Sequence, residues 1–599
     1  MTVTTTPTAQ PRTDRGAWRE ITIPSRALRA RHRRPGAGRR IRARALALVP
    51  VTGVLLLQAV LSIRLLHASG ASGDESLYIY SGHQLIYELW HGGGSPYYET
   101  YFSGAPVIYP VFAAMLDHLG GLTLVRLASG VFMLTATGLL FATARRLFGY
   151  WPAIIAAGLF ASLGITQQLG AYATFDAFAL MIMAFAAYCA VRAPDSSKWL
   201  LAIPALLLFA NATKYASIIF DPVVILLAAL VLQPQGWRRV GQRAAVLVVA
   251  TVALLAIAAT LAGTSYLKGI LFTTIARKTG TGVLNLNPST PPVIIRFSLH
   301  LFGLILALAI LALIVSLVLP KERSSLSLLL LFAVAGSLVT IEAVRLRDLT
   351  SVNKHDDFGV WFTAMAAGYL LARGAELARS RYMRSVWIVP ALIVVGISLH
   401  LYASDRPLDS SSNMHGAYLI VPYLKVNSTY RYLIGGKMND SLMYHYHLAI
   451  PWWRDFDDNY VKYPVPGRGG DSSGSVPGLT CSTVAPKCVY VAGEEGAQAA
   501  IGAHWFAVVS FLGQNRLPID KAELQAVRST PGYELVSTVG GETYVYAPDY
   551  PGLAPKFTRP TRHRRKSHHK HLAPRSGSLP GEENGSDLLK GSSSPSESW

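Results

Sequence analysis

The sequence is poor in charge. Only 15% of its 599 residues are Asp, Glu, Lys or Arg, and 51% are hydrophobic, whereas about a quarter of the residues of a typical soluble domain are charged. The middle of the chain is too apolar to be intrinsically disordered. A single soluble core is also excluded, because several uncharged runs approach the roughly 20 residues that cross a bilayer. We therefore expect a polytopic membrane protein.

Cysteine and the usual short catalytic motifs are also scarce. The three cysteines, Cys189, Cys481 and Cys488, are too few for a zinc ribbon or an iron–sulfur site on their own. Cys481 and Cys488 would form a disulfide in an oxidising compartment, and a reduced pair is the alternative. No Gly-rich phosphate loop, His-Glu-x-x-His helix or nucleophile elbow is present. The sequence therefore indicates no cofactor; a divalent metal ion is compatible with it but is not indicated.

The net charge of +21 comes mostly from the two ends. Residues 1–44 contain twelve Arg and two acids, and residues 556–599 contain nine Lys or Arg and four acids. We interpret these segments as a disordered cytoplasmic tail and a disordered basic, Ser-rich tail. The interior keeps 34 basic and 28 acidic residues, a balance that argues against a nucleic-acid-binding domain.

Residues 45–403 contain eleven apolar runs that we predict to be transmembrane helices. The first follows a basic tail, so the N-terminus is expected to be cytoplasmic. The five short loops then predicted inside contain thirteen Lys or Arg, whereas the outer loop 67–121 contains none. The runs are 45–66, 122–144, 151–169, 174–191, 199–212, 216–232, 244–263, 297–319, 325–343, 357–372 and 385–403. Eleven crossings place the C-terminal part outside the cell membrane.

Residues 404–555 differ in character, since short β-rich runs alternate with Gly/Pro/Asp-rich turns. The predicted strands are 417–423, 442–450, 488–492, 505–512 and 534–546, with one helix over 521–529. This pattern favours a small extracytoplasmic α/β domain. The predicted fold is therefore an all-α polytopic membrane protein with such a domain at its C-terminal end.

Two apolar segments are irregular. The stretch 199–232 is long enough for two short helices and is interrupted at 211–215, where Lys214 lies. The stretch 105–118 is short and contains two prolines. We expect it to form an interfacial helix on the outer surface rather than a span.

Carboxylates mark the outer side of the predicted membrane domain. Asp74 and Glu75 follow the first span within an aromatic-rich loop, and paired acids at a membrane boundary are costly unless they are solvated or used. Carboxylates beside aromatic side chains are typical of a sugar site, and a solvated helix cap is the alternative. Asp176 begins the fourth run, where it either stabilises the helix N-terminus or faces the same cavity as Asp74.

Outer loops should contain few cations, yet eight are predicted on this side. This excess indicates an anionic ligand at the membrane surface, and a lipid-linked phosphate fits because Lys and Arg are its usual partners. Pairing with nearby acids (Glu342, Asp348, Asp356, Asp357) is the alternative. The eight are Lys214, Lys268, Arg277, Lys278, Arg296, Arg345, Arg347 and Lys354.

These features together suggest transfer of a sugar from a lipid phosphate. A carboxylate can accept the proton of an attacking hydroxyl, and cations can stabilise the leaving phosphate. This hypothesis requires Asp74, Asp176, Lys214 and Lys354 to lie around one cavity. A transporter or flippase of lipid-linked sugars is the main alternative, and a non-catalytic membrane scaffold is the other.

The membrane part resembles bacterial family 39 glycosyltransferases, which have the GT-C fold and are related to protein O-mannosyltransferases and lipid A aminoarabinose transferases. Six segments carry the resemblance by their order and spacing. They are Gly73-Asp74-Glu75-Ser76-Leu77-Tyr78, Tyr101-Phe102-Ser103-Gly104-Ala105-Pro106-Val107-Ile108-Tyr109-Pro110, Arg145-Arg146-Leu147-Phe148-Gly149, Ala173-Thr174-Phe175-Asp176-Ala177, Thr213-Lys214-Tyr215-Ala216 and Asn353-Lys354-His355-Asp356-Asp357-Phe358-Gly359.

The resemblance implies a polyprenyl-phosphate-linked sugar donor and inversion at the anomeric carbon. It also implies an acceptor on the outer face, and this acceptor is a glycan, a lipid or a protein. It implies that Asp74 is the catalytic carboxylate, with Glu75 beside it, and that Lys354 contacts the lipid phosphate. Many relatives carry Lys-Pro-Pro in the first loop, with that Lys on the donor phosphate. Here the matching stretch is Gly104-Ala105-Pro106. Either Lys214, Arg277, Lys278 or Lys354 takes over this contact, or the donor binds in a different pose.

The candidate site residues follow from both arguments. The catalytic candidates are Asp74 and Glu75. The candidates for binding the donor phosphate are Lys214, Arg277, Lys278, Arg345, Arg347, Lys354 and His355. The other substrate-binding candidates are Tyr78, Tyr101, Tyr109 and Asp176.

Overall fold

A computed structural model describes residues 37–66, 71, 73–92, 98–100, 102–271, 273, 289–349 and 352–377, and in the C-terminal part residues 432–434, 444, 455–456, 463–465, 489–491, 506–510, 525, 528–539 and 543–548. The predicted run 385–403, the predicted strand 417–423 and the tail 556–599 lie outside the described residues, as do most of 1–44 and of 442–450. The same holds for Tyr101, Arg277, Lys278, Cys481 and Cys488.

The described part of the chain is mostly helical. Its α-helices are α1 (Ala37–Ile63), α2 (Gly73–His91), α3 (Tyr109–Phe148), α4 (Tyr150–Ser162), α5 (Gly164–Leu169), α6 (Phe175–Arg192), α7 (Ser197–Thr213), α8 (Asp221–Leu230), α9 (Trp237–Ala262), α10 (Thr264–Leu271), α11 (Pro291–Val318), α12 (Leu326–Leu346) and α13 (Val352–Leu377). Short 3₁₀ helices cover Tyr98–Thr100, Tyr215–Phe220, Gln233–Gln235 and Pro320–Ser325.

Five described helical segments are long and apolar enough to cross a membrane: Tyr109–Phe148, Phe175–Arg192, Trp237–Ala262, Pro291–Val318 and Arg323–Leu346. Shorter apolar helices cover Leu48–Ile63, Tyr150–Ser162, Ser197–Thr213 and Tyr215–Leu230. These nine segments coincide with nine of the eleven predicted runs. The run 357–372 lies in α13, which is not among the five.

One predicted boundary is wrong at the N-terminal end. Helix α1 begins at Ala37, so residues 37–44 of the predicted disordered tail are helical. Arg and Ala are strong helix formers, and the helix of the apolar run therefore extends back through the basic cluster. It begins directly after Pro35-Gly36, a pair that disfavours further helix.

Three interruptions divide the helices of the described part. Helix α3 is kinked at Gly120-Gly121, where Gly121 has φ +63°, so the predicted Pro-containing helix is separate from the following long segment. Helix α7 ends at Thr213 because Lys214 is extended, which places the predicted break within 211–215. The break at Lys214 places its backbone beside residues 103–105.

The third interruption differs from the prediction, since the run 151–169 is two helices rather than one. Leu163 has extended backbone between α4 and α5. The side-chain amide of Gln167 donates to the Ser162 carbonyl at 3.0 Å and to the Ala161 carbonyl at 3.4 Å. These bonds satisfy carbonyls that the break leaves without helical partners.

Helix α13 lies in the core and packs against α4, α11 and α12. Its buried aromatic residues include Trp361, whose indole N–H donates to the Ala136 carbonyl of α3 at 2.9 Å. A side chain at Gly368 would lie 2.6 Å from the Pro152 carbonyl oxygen of α4, so glycine allows the two backbones to approach closely. This packing fixes the helix whose first turn carries Lys354 and His355.

The strands of the C-terminal part are β1 (Tyr432–Ile434), β2 (Asp455–Phe456), β3 (Tyr463–Val465), β4 (Val489–Val491), β5 (Phe506–Ser510), β6 (Tyr533–Val539) and β7 (Thr543–Pro548). Five form a mixed sheet in the order β2-β1-β5-β7-β6, with β1 parallel to β2 and β5, and β7 antiparallel to β5 and β6. Strands β3 and β4 form an antiparallel pair. The predicted strand 534–546 corresponds to two antiparallel strands, β6 and β7, in which Val539 pairs with Thr543.

Candidate active site

Asp74 lies at the start of α2 and forms an ion pair with Lys354 at the start of α13. The Asp74 carboxylate accepts from the Lys354 ammonium group, and the two side chains are 41% and 26% exposed. An acid in the first turn of a helix is stabilised by the positive end of the helix dipole. Two residues 280 positions apart are thus joined at a point that solvent reaches.

Asp176 forms the centre of a second cluster beside the first. Its Oδ1 atom lies 3.4 Å from Lys214 Nζ and 3.6 Å from His355 Nε2. The side chains of Asp176 and Lys214 are only 1% and 4% exposed. Because His355 follows Lys354 in α13, adjacent residues of one helix contact the carboxylates of α2 and α6.

The position of Lys214 is fixed by a short backbone pairing between two loops. The Ala105 N–H donates to the Ala212 carbonyl at 2.7 Å, and the Tyr215 N–H donates to the Ser103 carbonyl at 2.8 Å. A side chain at Gly104 would lie 2.0 Å from the Thr213 carbonyl oxygen, so only glycine permits this approach.

Two side-chain contacts complete the surroundings of the Lys214 ammonium group. It donates to Ser103 Oγ at 3.1 Å and lies 5.6 Å from the centre of the Phe175 ring. An ammonium group over an aromatic face is attracted by the negative face of the ring. The stretch Gly104-Ala105-Pro106, which lacks the lysine of many relatives, thus lies directly beside Lys214.

The environment of Asp74 keeps it ionised. Desolvation by the surrounding protein raises its pKa, but the positive charges of Lys354 and Lys214 more than offset this, and the pKa lies below its ordinary value. Burial and the negative charges of Asp74 and Asp176 raise the pKa of Tyr78 well above its ordinary value. The Tyr78 phenol therefore stays protonated near Asp74.

Glu75 is adjacent to Asp74 in the sequence but lies in a different environment. It is fully buried and accepts two bonds from Arg126, from Nε at 2.8 Å and from Nη2 at 2.7 Å. It also accepts from the Ala173 N–H at 2.7 Å, while Arg126 donates to the Leu66 carbonyl. This pair joins α2, α3 and the loop before α6.

Tyr78 and Tyr109 belong to a buried aromatic cluster. The Tyr78 ring centre lies 3.9 Å from that of Phe175 and 5.6 Å from that of Phe102, and Tyr109 lies 5.4 Å from Phe175. The side chains of both tyrosines are almost fully buried. The cluster packs α2, α3 and the start of α6 against one another.

The structure brings together the four residues that the reaction hypothesis required. Asp74 pairs with Lys354, Asp176 pairs with Lys214, and Lys214 also stabilises the charge of Asp74. His355 joins them through Asp176. We call Asp74, Asp176, Lys214, Lys354 and His355 the carboxylate–lysine centre.

Two other predicted phosphate-binding cations, Arg345 and Arg347, lie at the C-terminal end of α12. Arg345 forms an exposed ion pair with Glu342, three residues before it in α12. Pairing with a nearby acid is the alternative to phosphate binding that the sequence analysis describes for these cations. Arg347 is an exposed residue that ends α12 in the left-handed region, with φ +55°. Its carbonyl accepts from the Ser289 N–H at 2.9 Å.

Sequence reasoning missed Arg126, Ser103 and a network at the start of α3. Arg126 was detectable, since it is a lone charge inside the predicted span 122–144 and such charges are seldom without a partner. In the network, Asp117 accepts from the Tyr444 hydroxyl at 2.8 Å and lies 2.8 Å from His83 Nε2. No local sequence pattern predicts the contact between Asp117 and Tyr444, which are 327 positions apart.

Asp356 and Asp357 follow the two functional candidates of α13 but point into the protein. Both are fully buried, and Asp357 accepts from the Thr166 hydroxyl at 2.8 Å. Across the described residues, no group of three or more His, Cys, Asp or Glu side chains could hold a metal ion.

Residues 105–262 match the family model of dolichyl-phosphate-mannose-protein mannosyltransferases. The match confirms, over this segment, the resemblance to protein O-mannosyltransferases that the sequence motifs indicate. No curated protein sequence matches the chain.

Solved structures of two kinds are similar to the chain. ArnT from Cupriavidus metallidurans bound to undecaprenyl phosphate is 15% identical with a TM-score of 0.49, over 84% of this chain and 98% of that one. The Archaeoglobus fulgidus oligosaccharyltransferase tethered to an acceptor peptide is 12% identical with a TM-score of 0.48, over 84% and 74%. AglB from the same organism, in complex with an inhibitory peptide and a dolichol-phosphate, is 12% identical with a TM-score of 0.42, over 66% and 63%.

Proposed function

We propose that this chain is an integral-membrane glycosyltransferase that moves a sugar from a polyprenyl-phosphate-linked donor to an acceptor at the outer face of the membrane. One observation carries the proposal. A solvent-accessible carboxylate, Asp74, forms an ion pair with a partly exposed lysine, Lys354, beside a second, buried ion pair. A proton acceptor and a phosphate-binding cation are thus held at one point.

The proposed reaction is a displacement at the anomeric carbon of the sugar. An acceptor hydroxyl oxygen attacks this carbon while its proton passes to an Asp74 carboxylate oxygen. The bond between the anomeric carbon and the phosphate oxygen breaks, and the polyprenyl phosphate leaves with the bonding electrons. Attack from the face opposite the phosphate inverts the configuration.

Lys354 supplies the electrostatic part of this mechanism. The donor phosphate carries one negative charge as a diester and gains another when it leaves as a monoester. A preorganised cation that meets this growing charge lowers the barrier, because it interacts more strongly with the transition state than with the ground state. A general acid is not required, since the leaving group departs as an anion.

The donor class rests on two supports. The family whose model matches residues 105–262 is described as using dolichyl phosphate mannose, a sugar on a polyprenyl phosphate. A lipid-borne donor also accounts for the lack of a Gly-rich nucleotide-binding loop in the sequence. We include Arg277, Lys278, Arg347 and Tyr101 as further contacts for the donor.

The proposal includes an orientation. The N-terminus lies in the cytoplasm, and the carboxylate–lysine centre and the C-terminal sheet lie outside. The basic loops described above then face the cytoplasm, as the distribution of Lys and Arg in membrane proteins requires.

The test is mass spectrometry of envelope glycans, lipids and glycoproteins from cells that make the wild type, Asp74→Asn or Asp195→Asn. Asp195 is a matched control, because it is an exposed acid paired with Arg146 and Arg192 away from the centre. We expect one class of molecule to lose a sugar in Asp74→Asn alone, at equal protein levels in the membrane. Identical profiles in all three strains would reject the proposal.

A measurement on the purified protein distinguishes a glycosyltransferase from a flippase. A flippase moves a lipid-linked sugar across the membrane without breaking the sugar–phosphate bond. We therefore expect purified wild type to release free polyprenyl phosphate from the donor when acceptor is present. Movement of intact donor without this product would favour the flippase.

A further inference from the structure

The two ion pairs of the carboxylate–lysine centre differ in access. The Asp74–Lys354 pair is 41% and 26% exposed, whereas the Asp176–Lys214 pair is 1% and 4% exposed. Lys214 is also held by Ser103 and by the backbone pairing of its loop. An incoming anion therefore reaches Lys354 directly, but it reaches Lys214 only if buried contacts break.

Asp74 and an incoming phosphate compete for the same ammonium group. Asp74 faces Lys354 from α13, Lys214 from the α7–α8 connection, Asp176 from α6 and Tyr78 from its own helix, while His355 lies against Asp176. Lys214 already has its own carboxylate. Lys354 is thus the accessible cation whose partner has to change when a second anion arrives, because two anions at one cation repel each other.

We propose that Lys354 is an exchangeable counter-ion, which holds Asp74 in the free protein and transfers to the donor phosphate when the donor binds. The inference rests on the proposed function and adds an order of events to it. Asp74 is engaged until the donor phosphate displaces it, and only then is its carboxylate available to an acceptor hydroxyl. Asp176 and Lys214 stay paired throughout and keep the centre in place.

The exchange leads to a prediction about binding that does not follow if Asp74 acts only as the catalytic base. Replacing Asp74 removes the competitor for Lys354, so the inactive Asp74→Asn protein should bind a polyprenyl phosphate more tightly than wild type does. Since a competing internal state lowers apparent affinity by its population, the expected decrease in Kd is on the order of tenfold. Lys354→Gln should bind more weakly than wild type.

The experiment titrates full-length protein in phosphatidylcholine nanodiscs with a polyprenyl phosphate and measures Kd by intrinsic tryptophan fluorescence. The variants are wild type, Asp74→Asn, Lys354→Gln, the double variant and the charge-matched Asp195→Asn. We expect tighter binding in Asp74→Asn, no additional effect of that change in the Lys354→Gln background, and a wild-type Kd in Asp195→Asn. A parallel titration with phosphatidylglycerol should show no dependence on Asp74.

Other outcomes would overturn the exchange in distinct ways. If Asp74→Asn tightens binding equally with and without Lys354, the effect is general repulsion and Lys354 is not exchanged. If phosphatidylglycerol responds as the polyprenyl phosphate does, the centre does not select the donor phosphate. If wild type binds the polyprenyl phosphate without saturation, the donor class itself is wrong, and the proposed function fails together with the exchange.

Discussion

Asp74 and Glu75 show how differently two neighbouring acids are used. Successive residues of a helix point about 100° apart, so one carboxylate reaches the exposed Lys354 while the other is buried on Arg126. The sequence suggested both as catalytic candidates. Under the proposed function Asp74 is the base, whereas Glu75 is the buried partner of Arg126 between α2 and α3.

The pKa of Asp74 leads to a prediction for pH dependence. Lys354 favours the charged form of Asp74, so its removal should raise the pKa of Asp74, and the acid limb of kcat/KM should move to higher pH. In wild type this limb should lie below the ordinary carboxyl pKa. We expect Lys354→Gln to shift the normalised pH profile upward, as measured by sugar transfer at several pH values.

Arg345→Gln is the control for this shift, because Arg345 pairs with Glu342 on the surface of α12. Its profile should match that of wild type. An acid limb that stays in place in Lys354→Gln would show that Asp74 is not the group that titrates.

The Glu75–Arg126 pair leads to a prediction for stability. Arg126→Leu leaves a buried carboxylate without its cation, which costs about 3–5 kcal/mol of unfolding free energy. Replacing both residues by Leu should recover much of this loss, since neither charge is then left alone. Thermal unfolding in detergent, followed by tryptophan fluorescence, measures both effects. Strictly additive losses would mean that the two side chains act independently.

Helices and loops decide where these residues meet. The break at Lys214 is visible in the sequence, since Asn211, Thr213 and Lys214 interrupt an apolar stretch. The contact that this break makes is not visible in the sequence, because the break pairs with residues 103–105, more than 100 positions earlier. The same holds for α13, whose first turn is positioned by packing against α4, α11 and α12.

Gly104 tests the importance of this loop pairing. A methyl group there would lie 2.0 Å from the Thr213 carbonyl oxygen, so Gly104→Ala should separate the two loops and displace Lys214 from Asp176. We expect transfer activity to fall by at least about tenfold, with a loss of about 1–3 kcal/mol in stability. Activity and thermal unfolding should be measured on the same preparation.

Gly138→Ala is the matched control, because a side chain at this position of α3 has no neighbour within 4 Å. Ala is the better helix former, so this variant should be as stable as wild type or slightly more stable, with full activity. Normal activity in Gly104→Ala would contradict the role assigned to the loop pairing.

At the scale of the whole molecule, the proposed orientation can be tested by cysteine labelling. In a background without the three native cysteines, Trp90→Cys places a thiol at an exposed position of α2, and Ser197→Cys places one at an exposed position of α7. An impermeant maleimide added to intact cells should label the first and spare the second. Both should react after the cells are opened. The reverse pattern would place Asp74 in the cytoplasm and remove the basis of the proposed function.

The sequence by itself determined the class of protein, most of the helical segments and the residue types of the site. Those properties depend on hydrophobic runs, charge distribution and short motifs, all of which are local. The run 151–169 and the strand 534–546 were predicted only in part, because a break or a turn inside an apolar stretch depends on which neighbours satisfy the freed backbone groups.

Only the tertiary structure decided which acid meets which cation. Asp74 and Lys354 are 280 positions apart, and Glu75 and Arg126 are 51 positions apart. Their pairing follows from the way α13 and α3 pack against the rest of the helices, and so does the difference in access between the two lysines. Such contacts depend on the relative placement of whole helices, which no local pattern of residues encodes.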